Sequence, residues 1–201
     1  MTRISRTDAE PDLAPVLGLA VGANARGRRA AACTRIAHRL REEALRVIGF
    51  VPAGESVAVA PLLVELGLAL CELSGTTVAV IDGNARYPSL PQLARSVKGG
   101  AAYSTRWLRG PLALISPTRA DRSGEVVPRL ARVLIETGEM FGHLLVDLSG
   151  FERLGEHATA AACMDAVAIV GRAHHTSERS LHEIAAHLPQ DRFLGVVLVE
   201  S

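Results

Sequence analysis

Val78-Ala-Val-Ile-Asp82-Gly-Asn-Ala-Arg86-Tyr-Pro88-Ser-Leu90 is the stretch on which the fold turns. Its first half extends an apolar run that starts at Thr76, and it becomes polar at Asp82. A short run that is apolar at nearly every position is a strand buried on both faces. Asp82-Gly83-Asn84 supplies turn formers that stop it. The pattern repeats along the chain. Val47–Val51 is stopped by Pro52-Ala53-Gly54, Leu112–Ile115 by Ser116-Pro117, and His143–Val146 by Asp147; Val167–Val170 and Phe193–Val199 follow. Helical spacing fills the intervals. Arg28–Arg46 carries the stripe Ile36, Leu40, Leu45; Pro61–Leu73 has its proline in the first turn and Ser74-Gly75 at its end. Glu125–Glu139 and Phe151–Cys163 are helical by spacing, and Ser177–His187 has Thr176 or Ser177 as its cap. Strands alternating with helices in this way predict an α/β fold, a doubly wound and mostly parallel sheet flanked by helices. Ligands of such sheets bind at the carboxyl ends of the strands. That rule selects Pro52–Ala60, Asp82–Ser89 and Asp147–Gly150.

The composition agrees with one folded domain. The chain has 201 residues, 48% hydrophobic and 21% charged, with a formal net charge of +1. It is too apolar for a disordered chain, and too neutral for a dedicated nucleic-acid binder. Residues 1–26 read as a loosely ordered arm whose one apolar stretch, Leu13–Val21, is a short strand or a docking segment; residues 27–201 form the single domain. All the Lys and Arg residues except Lys98 are arginine, so any step that needs a lysine depends on that one position. Cys33, Cys71 and Cys163 have no metal-ligand spacing, and Cys71 and Cys163 stand among apolar neighbours as buried thiols. Met1–Pro15 lacks the apolar core of a signal peptide, and no apolar run has the length of a membrane span. These features predict a cytoplasmic protein that reaches a membrane only through a partner.

The strand ending in Asp82, the following Arg86-Tyr-Pro88-Ser, the strand His143-Leu-Leu-Val-Asp147 and the closing strands Asp165–Val170 and Leu194–Leu198 together resemble the MinD/ParA-type P-loop ATPases. Within that group they look most like the cytoplasmic domain of bacterial tyrosine kinases, the regulators of capsule and exopolysaccharide synthesis. The resemblance covers roughly residues 28 to 200 and rests mainly on the Asp-x-x-x-Arg-x-Pro stretch. It implies a P-loop NTPase-like domain in which Asp82 and Asp147 correspond to acids that organise magnesium and water around the γ-phosphate.

The phosphate loop departs from the pattern the resemblance implies. A Gly-x-Gly-Lys-Ser/Thr stretch is expected after the first strand, where glycines admit backbone N–H groups and lysine neutralises charge. Here the stretch reads Gly54-Glu-Ser56-Val-Ala58-Val-Ala60-Pro-Leu62. Counted back from Asp82, Ala60 takes the lysine position, Val57 and Val59 the glycine positions, and Pro61 and Leu62 the Ser/Thr positions. β-Branched residues resist the positive φ angles that glycine supplies. Pro61 lacks an N–H where a helix N-terminus would hold phosphate, and Glu55 adds negative charge. The strand at Asp147 continues Leu-Ser-Gly150 where the kinases have Asp-x-Pro-Pro. Only Tyr87 and Tyr103 are present in the chain, and neither belongs to a tyrosine cluster.

Other groups have plainer readings. His174-His175 is an exposed loop pair, and Cys163 has nothing to activate it as a nucleophile. Ser149 lacks the Gly-x-Ser-x-Gly elbow. In the Arg26–Arg46 segment, Ala32, Arg35 and His38 occupy the positions of the kinases' Glu-x-x-Arg-x-x-Arg subunit contact; Arg35 and Arg39 form either an interaction face or a solvated one. Tyr103 and Trp107, beside Arg106 and Arg109 in an irregular region, are an interaction surface or a loop anchoring itself.

The expectation from these readings is a catalytically degenerate, tyrosine-kinase-like P-loop protein that acts as an interaction or regulatory subunit in exopolysaccharide synthesis or export. It requires no cofactor. Its partners are a second copy, an active paralogous kinase or ATPase, or the cytoplasmic end of a membrane polysaccharide co-polymerase. One alternative is a residual enzyme that holds Mg-ATP through Asp82 and Asp147, with Arg86 in place of the lysine. Another is a MinD/ParA-like positioning protein.

Overall fold

A computed structural model describes residues 23–89, 102–108 and 110–200, with backbone alone for 23–26. Leu90, Lys98, Arg109 and most of the stretch read as an arm lie outside the described residues. Seven strands form one sheet: β1 (Val47–Pro52), β2 (Val78–Asp82), β3 (Tyr103–Trp107), β4 (Leu112–Pro117), β5 (His143–Asp147), β6 (Ala166–Arg172) and β7 (Phe193–Val199). Their order is β3-β4-β2-β5-β1-β6-β7, parallel throughout except for β3. Helices α1 (Ala23–Glu42) and α2 (Val59–Ser74) cover one face. On the other lie α3 (Val126–Thr137), α4 (His157–Ala161) and α5 (Glu178–Ala185).

The inner strands are buried on both faces because their sequence is apolar on both, whereas β3 and β7 are partly exposed. Every residue of β2, β4 and β5 is buried. Ile48, Phe50, Val78, Val80 and Leu145 pack towards α1 and α2, while Val51, Ala79, Ile81, Leu144 and Val146 pack towards α3–α5. This two-sided burial confirms the doubly wound α/β architecture read from the sequence. Helix α5 starts where expected, with the Ser177 hydroxyl accepting from the Ser180 N–H at 3.1 Å.

Several boundaries differ for local reasons. The helix read as Arg28–Arg46 runs from Ala23 to Glu42 and stops before Ala44, which has a φ of 54°. The stretch Phe151–Cys163 is not one helix: a short 3₁₀ turn at Phe151–Arg153 is separated from α4 by Gly155 at φ 67°. The region before Leu112 is not wholly irregular, because β3 forms an antiparallel edge on β4. Its polar middle, Ser104-Thr105-Arg106, is what an edge strand tolerates. Cys163 is half-buried rather than buried, whereas burial pushes the Cys33 and Cys71 thiols up to about 11.

Candidate functional site

The carboxyl ends of β1, β2 and β5 meet at an open cleft of about 620 Å³. The β1–α2 loop forms one wall. Its lining includes Gly54, Glu55, Val57, Ala58, Val59, Ala60 and Pro61. This loop is folded into the protein more than it opens towards the cleft. Val57, Val59, Ala60 and Leu62 are 7%, 1%, 5% and 5% exposed and belong to the α1–α2 side of the core. The Val57 N–H donates to the Gly54 carbonyl at 3.1 Å, and the Ala53 N–H to the Val170 carbonyl at 2.7 Å. Two backbone donors of the loop are thus committed within the protein. Helix α2 begins at Val59, two residues earlier than the sequence suggests, with Ala58 at its N-cap and no side-chain cap. Gly54, at φ 138°, is the one loop residue in the left-handed region. Ser56 is exposed.

The opposite wall is polar and tightly connected. Asp147 lines this wall, and Asp82, its register partner at the end of the adjacent strand, stands behind it without lining the cleft. Both are buried, Asp82 at 2% and Asp147 at 1% exposure. Asp147 Oδ1 accepts from the Ser149 N–H at 2.9 Å, while its Oδ2 makes no hydrogen bond among the described residues. Burial pushes the Asp147 carboxyl above its ordinary range; the hydrogen bonding from Ser149 holds it back in part.

Asn84, fully buried, ties the two strand-end loops together. Its Nδ2 donates to the Ser149 carbonyl at 3.3 Å, and its Oδ1 accepts from the N–H groups of Arg86 at 3.1 Å and Tyr87 at 3.0 Å. The loops approach so closely that two glycines are required. A Cβ on Gly83 would lie 2.6 Å from the Asp147 carbonyl oxygen; one on Gly150, at φ 79°, would lie 2.9 Å from Asn84 Nδ2.

An ionic strap joins the two walls. Arg153 donates through Nη2 to Glu55 Oε1 at 3.0 Å and through Nε at 3.2 Å. Its guanidinium and that of Arg86 each lie 5.6 Å from the centre of the Tyr87 ring. Arg86 lines the cleft, and its guanidinium also donates to the Asp121 carbonyl and, at 3.3 Å, to the Tyr87 hydroxyl.

The structure thus brings together Asp82, Asp147, Arg86 and the loop Gly54–Pro61. It places the other candidates elsewhere. Arg35 and Arg39 lie on the exposed side of α1, Arg39 in an i,i+4 pair with Glu43 at 2.8 Å. Tyr103 and Trp107 sit on edge strand β3. Tyr103 is partly buried against the core, while Trp107 is 43% exposed and lies 5.8 Å from the Phe141 ring. His174 and His175 are exposed. Sequence reading missed Asn84, Glu55–Arg153 and Gly150. Asp82-Gly-Asn and Ser149-Gly signalled turns, but their pairing depends on β2 and β5 being neighbours in the sheet.

A magnesium–nucleoside triphosphate site needs a cationic side chain, a hydroxyl ligand and free loop amides. The β1–α2 loop does not supply those side chains: no lysine occurs among the described residues, Ala60 and Pro61 offer neither amine nor hydroxyl, and Glu55 lines the cleft with its own charge, while the cations lining the cleft, Arg86 and Arg153, come from the opposite wall.

No protein-family model matches the sequence, and no curated protein does. Solved structures do. The kinase domain of Escherichia coli tyrosine kinase ETK matches with a TM-score of 0.71 at 17% identity, covering 100% of this chain and 85% of that one. The BceF tyrosine kinase domain matches with a TM-score of 0.65 at 20% identity, covering 86% of this chain and 76% of its own. A ParA family ATPase from Chlorobium tepidum TLS matches at 0.55 and 17% identity, over 77% of this chain and 74% of its own. The chain therefore has a MinD/ParA-type P-loop NTPase fold. It has the form of that fold found in bacterial tyrosine kinase domains.

Proposed function

We propose that this domain is a tyrosine-kinase-like protein that has given up phosphoryl transfer and acts as an interaction or regulatory subunit. The observation that carries the reading is the β1–α2 loop, whose lysine and glycine positions are filled by Ala60, Val57 and Val59, all buried in the α1–α2 side of the core where it meets the cleft. A loop held this way by apolar burial keeps its shape without a nucleotide. The domain is then fixed in one state, or is switched by a partner instead of by ATP. The likeness to kinase domains supports exopolysaccharide synthesis or export as the process. The partner is a second copy, an active kinase or ATPase of the same fold, or the inner end of a polysaccharide co-polymerase. No described helix is long and apolar enough to cross a membrane.

A second reading draws on the paired buried acids: Asp82 and Asp147 hold a magnesium nucleotide, and Arg86 replaces the lysine. One experiment separates the two. The purified chain is incubated with magnesium and γ-labelled ATP, and released and protein-bound phosphate are counted. The proposal expects no turnover above the blank. Turnover that Asp82→Ala abolishes establishes the second reading in its place.

A further inference from the structure

Strand β7 ends the sheet among the described residues, and its outer edge lacks the usual protections. Edge strands avoid unwanted pairing through charges, prolines and bulges. At the opposite edge, β3 carries Arg106 near its middle. From Phe193 to Val199, β7 has neither a charge nor a proline. Its register with β6 shifts once, near its start, between Phe193 and Gly195; residues 195–199 then run regularly.

We propose that β7 pairs antiparallel with β7 of a second copy of this chain, so that two domains share one continuous sheet. Three observations argue for this occupant. The first is the direction of the main chain. The Val199 carbonyl accepts from the Ala173 N–H, just past β6, at 2.9 Å. It therefore faces β6, and so by alternation do the main-chain groups of Val197 and Gly195, while those of Val196 and Leu198 face outward. Antiparallel pairing centred on Val197 sets Val196 opposite the partner's Leu198, and Leu198 opposite the partner's Val196. Outward N–H and C=O groups then meet outward groups, as hydrogen-bonded pairs require. The second is apolar surface. Val197 and Val199 pack on the α1–α2 side, so Val196 and Leu198 stand on the other face, 43% and 58% exposed. The same pairing covers each of these with the other, as cross-strand neighbours. The third is charge. A twofold interface places a surface against itself, so it must not repel itself. Strand β7 is uncharged, with Arg192 before it and Glu200 after it. Antiparallel pairing brings each Glu200 to the end where the partner's Arg192 stands. The twofold consumes the outer β7 edge of both copies, so assembly through it stops at two. No residue lining the cleft belongs to β7, so the pairing holds under either reading of the cleft.

Sedimentation equilibrium of the purified chain from about 1 to 100 μM tests the proposal. The expected result is a monomer–dimer equilibrium that Leu198→Lys weakens about tenfold or more, because a lysine on an edge strand opposes pairing. Circular dichroism checks that this variant is folded. Oxidative cross-linking reads the register, and it decides alone if the lysine variant does not fold. Val197→Cys puts the two thiols on directly opposed residues whose Cα atoms are about 4.5 Å apart, within disulfide reach. Val196→Cys puts them on a diagonal about 7–8 Å apart, which is too far. The Val197→Cys chain should therefore form covalent dimers about tenfold faster than the Val196→Cys chain. A chain that stays monomeric at every concentration overturns the proposal. So does a dimer that Leu198→Lys leaves intact, because the copies then meet elsewhere, and so does equal cross-linking of the two cysteine variants.

Discussion

The two walls of the cleft have kept different things. The β1–α2 loop has the position of a phosphate loop, but its side chains have joined the core, and Val57 and Val59 are nearly inaccessible. The β2 and β5 loops retain polar residues, yet these residues mostly bind one another: Asn84 holds Ser149, Arg86 and Tyr87, and Asp147 holds Ser149. In the proposed reading, a P-loop fold persists without phosphate because other interactions fix the loop. Apolar burial does so on one wall and hydrogen bonding on the other. An acid at a strand end therefore has a structural reason to remain, independent of catalysis.

The comparison can be broken by changing each wall in turn. The largest effect is expected from Val57→Gly, which would return a glycine to the phosphate loop. If the loop is core, this loses a buried side chain and adds backbone entropy, costing about 2–3 kcal/mol. Thermal unfolding should shift down by roughly 5–10 °C for a chain of this size. An unchanged midpoint, or a gain of nucleotide binding without loss of stability, would show that the loop is only loosely held.

Asn84→Ala attacks the other wall. It leaves the Arg86 and Tyr87 N–H groups and the Ser149 carbonyl without their partner, at a cost of about 2 kcal/mol. Denaturant unfolding should show a lower midpoint at an unchanged slope. Equal stability of the variant and its parent would mean that the loops are held by other contacts.

Asp147→Asn should act in the opposite direction. The Asp147 carboxyl is raised above its ordinary value of 3.8 by burial, so the folded chain binds its proton more tightly than the unfolded chain does. Stability from this group is therefore greatest in acid and falls as pH rises from the unfolded value through the folded one. Removing the charge should leave the variant at least as stable as the parent at pH 7, with the difference vanishing towards acid pH. A loss of stability that grows with pH would assign the carboxylate a favourable charged partner instead.

The smallest effect is expected from Glu55→Gln. The ion pair with Arg153 is exposed on both sides, and such pairs contribute less than about 1 kcal/mol. Its removal should barely move the melting temperature, and that small change should disappear in high salt. A shift of several degrees would make the strap a principal support of the closed loop.

Much of the fold was legible in the sequence because the strands are apolar on both faces. Val78–Asp82 and His143–Asp147 announce themselves by composition, and turn formers follow each, Gly83-Asn84 and Ser149-Gly150. Edge elements were less legible. Tyr103–Trp107 carries three polar residues, Ser104-Thr105-Arg106, between two aromatics, and in a sequence this resembles a loop. At the site, Val57, Val59, Ala60 and Pro61 were singled out by the resemblance to the kinases, through the count back from Asp82. The network around Asn84 was not legible in this way, because Asn84 and Ser149 are far apart in sequence and meet only through the adjacency of β2 and β5.

The most direct test of the central claim is the thermal stability of the purified chain with and without millimolar Mg-ATP, Mg-ADP and Mg-GTP. A ligand that binds the folded state must raise the melting temperature; at a hundred times its dissociation constant it adds about 2.7 kcal/mol. The account predicts no shift with any nucleotide. A clear, magnesium-dependent rise would contradict it and would show that a loop built from valine, alanine and proline still holds phosphate.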